Sequence, residues 1–299
     1  MIDFLKLTSL EDVTEMLWAD GPAALLIAGG TDILVHPEPF SEKKILIDIS
    51  QVDELRKIEF EKKGLIKIGA AVTHQEIADD PLIRRRAHLL GLACAAVGST
   101  QIRNLGTIGG NLGNASPAGD SIPALACLKA EIILTGRDRQ RFVPILEFFK
   151  GPGETVLGFD EIIEAVKIPI RKGRTVAFFK KAGQRKGMCC SKASVALIAR
   201  RHSDDRLSKV CIAMGAVGPE VIDVPEAARA LEGQVLGAQV IRAAADCCCR
   251  AVRAIDDIRS TAKYRRHVVG ALLTEGLLEI FDHMSKLKKR RKRRLRRLR

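Results

Sequence analysis

Two glycine-rich segments constrain this chain more than any other feature. The first, Leu25-Leu26-Ile27-Ala28-Gly29-Gly30-Thr31-Asp32-Ile33-Leu34, puts a glycine pair directly after a short apolar run, Ala23 to Ala28. Glycine allows positive φ and close approach, so successive backbone N–H groups can form a nest that neutralises a phosphate without a lysine, and Thr31 adds a hydroxyl. The second runs from Gln101 to Asp120 and holds Thr107-Ile108-Gly109-Gly110-Asn111, with Asn114 and Ser116 as further uncharged polar partners. Asp120 offers an acceptor for a ribose diol or a ring N–H. Two such nests suit a ligand with two phosphates. Neither has the G-x-G-x-x-G or G-x-x-x-x-G-K-[ST] spacing, which disfavours a Rossmann site and a P-loop. Taken alone, a Gly-Gly-Thr-Asp turn serves equally well as a plain structural turn.

The rest of the pattern predicts an α+β chain. Leu10 to Ala19 is amphipathic, Leu46 to Ile49 and Leu65 to Ile68 have strand character, and Thr73 with Glu76 forms a potential capping box. Arg84 to Val97 and Ile122 to Lys129 read as helices, Glu131 to Thr135 as a strand, and Gly151 to Gly158 as a loop. The segment Pro169 to Gly173 is the best domain boundary. Beyond it, Val176 to Lys180, Ser194 to Arg200 and Lys209 to Val217 suit a strand meander. Two helices should follow, through Ile241 to Ile255 and Tyr264 to Phe281.

Composition narrows the function. Hydrophobic residues at 46%, charged residues at 28% and aromatics at 4% argue against disorder and against a base-stacking surface. No apolar run approaches a membrane span, and the first residues lack signal-peptide character, so a cytoplasmic location is expected. The net charge of +13 is concentrated at one end: Lys286 to Arg299 carries eleven basic and no acidic residues, leaving 38 basic against 36 acidic elsewhere. Such a run is expected to be a disordered, solvated tail, with nucleic-acid or membrane binding as the alternative. The eight cysteines lack iron–sulfur spacing and the six histidines lack metal spacing, so neither set predicts a metal site. Cys248 lies on the apolar stripe Ile241, Ala244, Ala245, Val252, Ile255 and is read as core.

The two glycine segments, in this order, resemble those of the FAD-binding subunits of the xanthine dehydrogenase and carbon monoxide dehydrogenase family of molybdenum hydroxylases. Ala28 to Asp32 matches that family's first turn and Thr107 to Asn111 its second. Asp257-Ile258-Arg259-Ser260-Thr261-Ala262-Lys263-Tyr264-Arg265-Arg266 resembles a segment of its C-terminal domain. The resemblance implies a two-lobed PCMH-type FAD-binding domain over 1–172, with lobes of roughly 1–55 and 56–172. A smaller α+β domain of antiparallel sheet and helices follows over 173–284, and then the basic tail over 285–299.

It also implies non-covalent FAD. Leu26, Ile27, Ala28, Gly29, Gly30, Thr31, Asp32 and Ile33 would form the first wall, and Thr107, Ile108, Gly109, Gly110, Asn111 and Asn114 the second. Asp120 would face a polar edge of the cofactor, Leu157 would lie against the isoalloxazine, and Lys180 would be a further polar contact. Ordinary readings remain beside these, with Leu157 as core and Lys180 as a solvated strand residue. No catalytic acid or base is expected in this chain. The implied partners are a large subunit with molybdenum cofactor and a small subunit with [2Fe-2S] clusters, in a dimer of heterotrimers that passes electrons through FAD to NAD or another acceptor. Gln184-Arg185-Lys186-Gly187 replaces the acidic pair of the animal enzymes and leaves the acceptor open; Met188-Cys189-Cys190 is read as packing. The alternatives are a stand-alone flavin oxidase of the same fold and a nucleic-acid-binding or scaffold protein acting through the tail.

Overall fold

The computed structural model describes residues 2–37, 43–185 and 190–297, with 287–297 as backbone only. The chain opens with β1 (Asp3–Lys6), α1 (Leu10–Asp20), β2 (Ala24–Ile27) and β3 (Ile45–Asp48). Ser9 caps α1 by accepting from the N–H of Asp12. Strands β1 and β2 flank β3 in a small parallel sheet, and α1 buries Val13 and Leu17 against Ile47.

The second lobe contains β4 (Ile58–Glu61), β5 (Leu65–Gly69), α2 (His74–Asp79), α3 (Pro81–Arg86), α4 (His88–Ala95), α5 (Thr100–Leu105), α6 (Ile108–Gly113) and α7 (Ser121–Leu128). It continues with β6 (Glu131–Thr135), β7 (Gln140–Pro144), α8 (Ile145–Phe148), β8 (Phe149–Gly151), β9 (Glu154–Thr155) and β10 (Ile162–Pro169). Its sheet runs β4-β5-β10-β6-β7 with antiparallel pairing. Both halves of the Thr73–Glu76 capping box are present. The single helix expected over Arg84 to Val97 is two, because the backbone leaves helical geometry at Ala87 (φ −132°, ψ 40°). Ala87 is itself fully buried, and this tertiary placement is invisible to periodicity. The loop expected over Gly151 to Gly158 contains β9, which pairs antiparallel with β8 where the loop begins.

The third region contains β11 (Thr175–Ala182), β12 (Ala193–Arg201), β13 (Leu207–Gly215), β14 (Ile222–Asp223), α9 (Pro225–Leu231), α10 (Ala238–Ala251) and α11 (Ala262–Arg297). The strands form the expected meander, β11-β12-β13-β14. Strand side chains alternate between faces. In β12, Ala196 and Ile198 therefore join the second lobe's core, while Val195, Leu197 and Ala199 join the core beneath α10 and α11. Cys248 is fully buried in that latter core, as its stripe predicts, but Ile255 lies beyond α10 and is 73% exposed.

The segment Asp257 to Arg266 anchors the start of α11. Asp257 Oδ1 accepts from Arg265 Nη2 at 2.5 Å and from the N–H groups of Arg259 and Ser260 at 2.9 Å each. Two expectations need correction here. The backbone stays helical to Arg297, through most of the basic run, because extending a nucleated helix is far cheaper than starting one and Lys, Arg and Leu are good helix formers. Cys190 is exposed rather than packed, while Met188, Cys189, Lys186 and Gly187 lie outside the described residues.

Candidate functional site

The first glycine turn begins where β2 ends. Leu26 and Ala28 pack into the small lobe's core, which puts Ile27 on the opposite side of the strand. Gly30 adopts φ +65°, the left-handed conformation that costs glycine little. The turn is closed from behind: Leu34 N–H donates to the Gly30 carbonyl, and Val35 and His36 N–H groups to that of Asp32. The N–H groups of Gly29, Gly30, Thr31, Asp32 and Ile33 meet no acceptor among the described residues. A row of free backbone donors is what an anion-binding nest requires.

A Cβ on Gly29 would stand 1.8 Å from the Leu105 carbonyl oxygen, and one on Gly106 would stand 3.2 Å from Thr31 Oγ1. The two glycine segments thus meet backbone to backbone at the end of α5. The second, however, is no nest. Ile108 and Gly109 N–H groups donate to the carbonyls of Val72 and Ala70, at 3.0 and 2.8 Å. Thr107 caps α6 by accepting from Gly110 N–H at 3.0 Å, and Asn111 N–H donates to the Thr107 carbonyl. Gly109 is required because a Cβ there would stand 2.5 Å from that of Ala70. A glycine needed for helix packing and one needed for a nest look alike in sequence. Asn111 Oδ1 accepts from Ser121 Oγ at 2.6 Å, and Asn114 closes α6 with its N–H on the Gly110 carbonyl.

Asp120 is 6% exposed, and its two oxygens accept from Lys181 Nζ and Ser191 Oγ, each at 2.6 Å. Burial raises its pKa, opposed by the charge of and hydrogen bond from Lys181 and by the hydrogen bond from Ser191. Strand alternation explains the choice of lysine. Ala177 and Phe179 face the second lobe with Lys181, while Phe178 packs toward α11 with Lys180. Lys180 Nζ is held by Glu275 and Glu279 of α11, at 2.8 and 2.5 Å, so it is no merely solvated residue. Leu157 is half-buried against the second lobe's core, with its N–H on Thr155 Oγ1.

Three residues that sequence reasoning passed over also lie here. Arg103 donates to Gln75 Oε1, the Val97 carbonyl and Thr100 Oγ1, all neutral, and no carboxylate pairs with it among the described residues. His74 is 2% exposed, with Nδ1 lacking any partner among the described residues. Its pKa is lowered to about 4, by burial first and Arg103 second. Lys181 is the third, and the two-residue period of Phe178-Phe179-Lys180-Lys181 is the signal that separates it from Lys180. Beside Arg103 opens a cavity of about 520 Å³ lined by Ala95, Ala96, Gly98 to Gln101, and Phe179 to Lys181.

The uncommitted N–H groups and a guanidinium with no carboxylate partner among the described residues fit an anionic cofactor. Comparison with known proteins agrees. Residues 1–171 match the family described as the FAD binding domain in molybdopterin dehydrogenase, and 177–280 match the CO dehydrogenase flavoprotein C-terminal domain. The chain is 30% identical to the nicotinate dehydrogenase FAD-subunit of Eubacterium barkeri, covering 94% of this chain and 97% of that one. It is 29% identical to the xanthine dehydrogenase FAD-binding subunit of Escherichia coli, covering 93% and 97%. The structure of a carbon monoxide dehydrogenase from Hydrogenophaga pseudoflava superposes with TM-score 0.86 at 27% identity, over 92% of this chain and 95% of that one. The chain belongs to the FAD-binding subunits of the xanthine dehydrogenase and carbon monoxide dehydrogenase family of molybdenum hydroxylases.

Proposed function

We propose that this chain is the electron-transfer subunit of a molybdenum hydroxylase. It would receive electrons from [2Fe-2S] clusters on a small partner subunit and deliver them to NAD or another acceptor, while a large partner subunit with molybdenum cofactor hydroxylates the substrate. The assembly expected is a dimer of heterotrimers. Bound FAD would supply the chemistry that joins one-electron input to two-electron output.

The observation that carries this reading is the row of uncommitted N–H groups from Gly29 to Ile33, set against the Leu105–Gly106 backbone and near the Arg103 charge. Backbone donors held in place by the fold bind a diphosphate without reorganising. In this reading Leu26 to Ile33 form one wall and Thr107 to Asn111, with Asn114, the other. Asp120, held by Lys181, presents its remaining lone pairs to a polar edge of the cofactor. Leu157 completes the surroundings of the ring and the cavity beside Phe179 supplies space for it, while Lys180 lines that cavity with its ammonium turned to Glu275 and Glu279 of α11.

The test is the visible spectrum of the purified chain before and after denaturation, with identification of any released chromophore. Released FAD supports the reading, and co-purification with molybdenum and iron–sulfur subunits extends it. A folded, colourless chain that fails to bind added FAD overturns it.

A further inference from the structure

The FAD reading leaves one buried titratable side chain without a task. His74, the first residue of α2, has its backbone N–H on the Gly106 carbonyl at 2.9 Å. Its Cδ2 lies 3.5 Å from where a Cβ of Gly106 would stand, and Thr31 Oγ1 lies 3.2 Å from the same point. The ring thus reaches the place where the two glycine segments meet with its Cδ2, the carbon bonded to Nε2.

The two ring nitrogens differ. Nδ1 is buried with no partner, whereas Nε2 is neither sealed off in that way nor bonded to a protein group among the described residues. A neutral imidazole carries one proton. An N–H buried without an acceptor forfeits its full hydrogen-bonding energy, so the proton belongs on Nε2 and Nδ1 stays bare. Burial and the Arg103 charge keep the ring neutral.

We propose that His74 is a cofactor-binding residue, donating from Nε2–H to the diphosphate of the bound dinucleotide from the second glycine segment's side of the cradle. This rests on the FAD reading above. It also accounts for a polar side chain in a position where an apolar one would pack at less cost. Arg103, fixed by Gln75, Val97 and Thr100, adds charge to the same region without itself being buried.

The experiment titrates FAD and, separately, ADP into the purified wild-type chain and the His74→Gln and His74→Asn variants, following flavin fluorescence and calorimetric heat. A glutamine amide nitrogen takes the place of Nε2 and an asparagine amide that of Nδ1. We expect His74→Gln to keep both affinities within about threefold and His74→Asn to lose about tenfold or more in both, the loss expected for one hydrogen bond to a charged group. Wild-type-like binding by His74→Asn, or equal losses in both variants, overturns the inference. Nitrogen-15 spectra of the wild-type imidazole give a check independent of variant folding: an Nε2–H tautomer at neutral pH supports it and an Nδ1–H tautomer overturns it. A wild-type chain that binds neither FAD nor ADP sinks the FAD reading itself, whereas tight wild-type binding with an indifferent His74→Asn sinks only the role of His74.

Discussion

The Leu105 carbonyl oxygen lies 1.8 Å from the point where a Cβ on Gly29 would stand, so the two glycine segments touch only because residue 29 has no side chain. We expect Gly29→Ala to destabilise the chain by about 1–3 kcal/mol, the usual cost of overpacking, and to weaken FAD binding by more than tenfold. Thermal melts with and without added FAD check both, since a ligand that binds only the folded state raises the melting temperature. An unchanged FAD-dependent shift in Gly29→Ala would remove this contact from the site.

Asp120 and Lys181 form a buried pair whose carboxyl is already raised above its ordinary pKa by burial. Lys181→Met leaves that charge uncompensated and should cost about 3–5 kcal/mol near neutral pH. Without the lysine the folded-state pKa rises further. Stability is then fully present below the ordinary carboxylate range and lost as pH rises through the raised value, so the deficit shrinks on acidification. Urea midpoints at pH 7 and pH 5 read this out, with the Asp120→Asn, Lys181→Met double variant expected to recover part of the loss.

The pKa of His74 falls from 6.5 in the unfolded chain to about 4 in the folded one. Between those values the unfolded chain binds the proton and the folded chain does not. Stability is therefore greatest above pH 6.5 and is lost as pH falls toward 4, by about 3 kcal/mol in all. His74→Gln should flatten this slope. Denaturation of wild type and variant at pH 7 and pH 4.5 compares them, and parallel slopes would count against the buried neutral ring.

Stopping the chain after Ser285 removes the basic run. The family matches end at residue 280, so we expect flavin content and FAD affinity to stay the same, and stability to change by no more than about 0.5 kcal/mol. Retention on immobilised nucleic acid should fall. Loss of flavin on truncation would tie the end of α11 to the site.

Much of this was legible beforehand for physical reasons. The capping box at Thr73 and Glu76, the stripe through Ile241 and Cys248, and the strands of the meander are local patterns, and each formed where its spacing placed it. The break at Ala87 and the helical continuation to Arg297 were not legible, because the first follows from tertiary burial and the second from attachment to a packed helix.

For the site, residue order and glycine chemistry alone determined that the Gly29-Gly30 turn and the Thr107–Asn111 segment could admit close backbone approach. Only the tertiary structure decided what each glycine approaches. Gly29 meets Leu105 and leaves a row of free donors, whereas Gly109 meets Ala70 and its N–H is spent on the Ala70 carbonyl. It likewise chose Lys181 over Lys180 as the partner of Asp120 and brought His74 and Arg103 beside the turn. The physical reason is that a missing Cβ, a charge or a lone pair is written in the chain, but the atom that meets it comes from a distant segment, and only packing selects that segment.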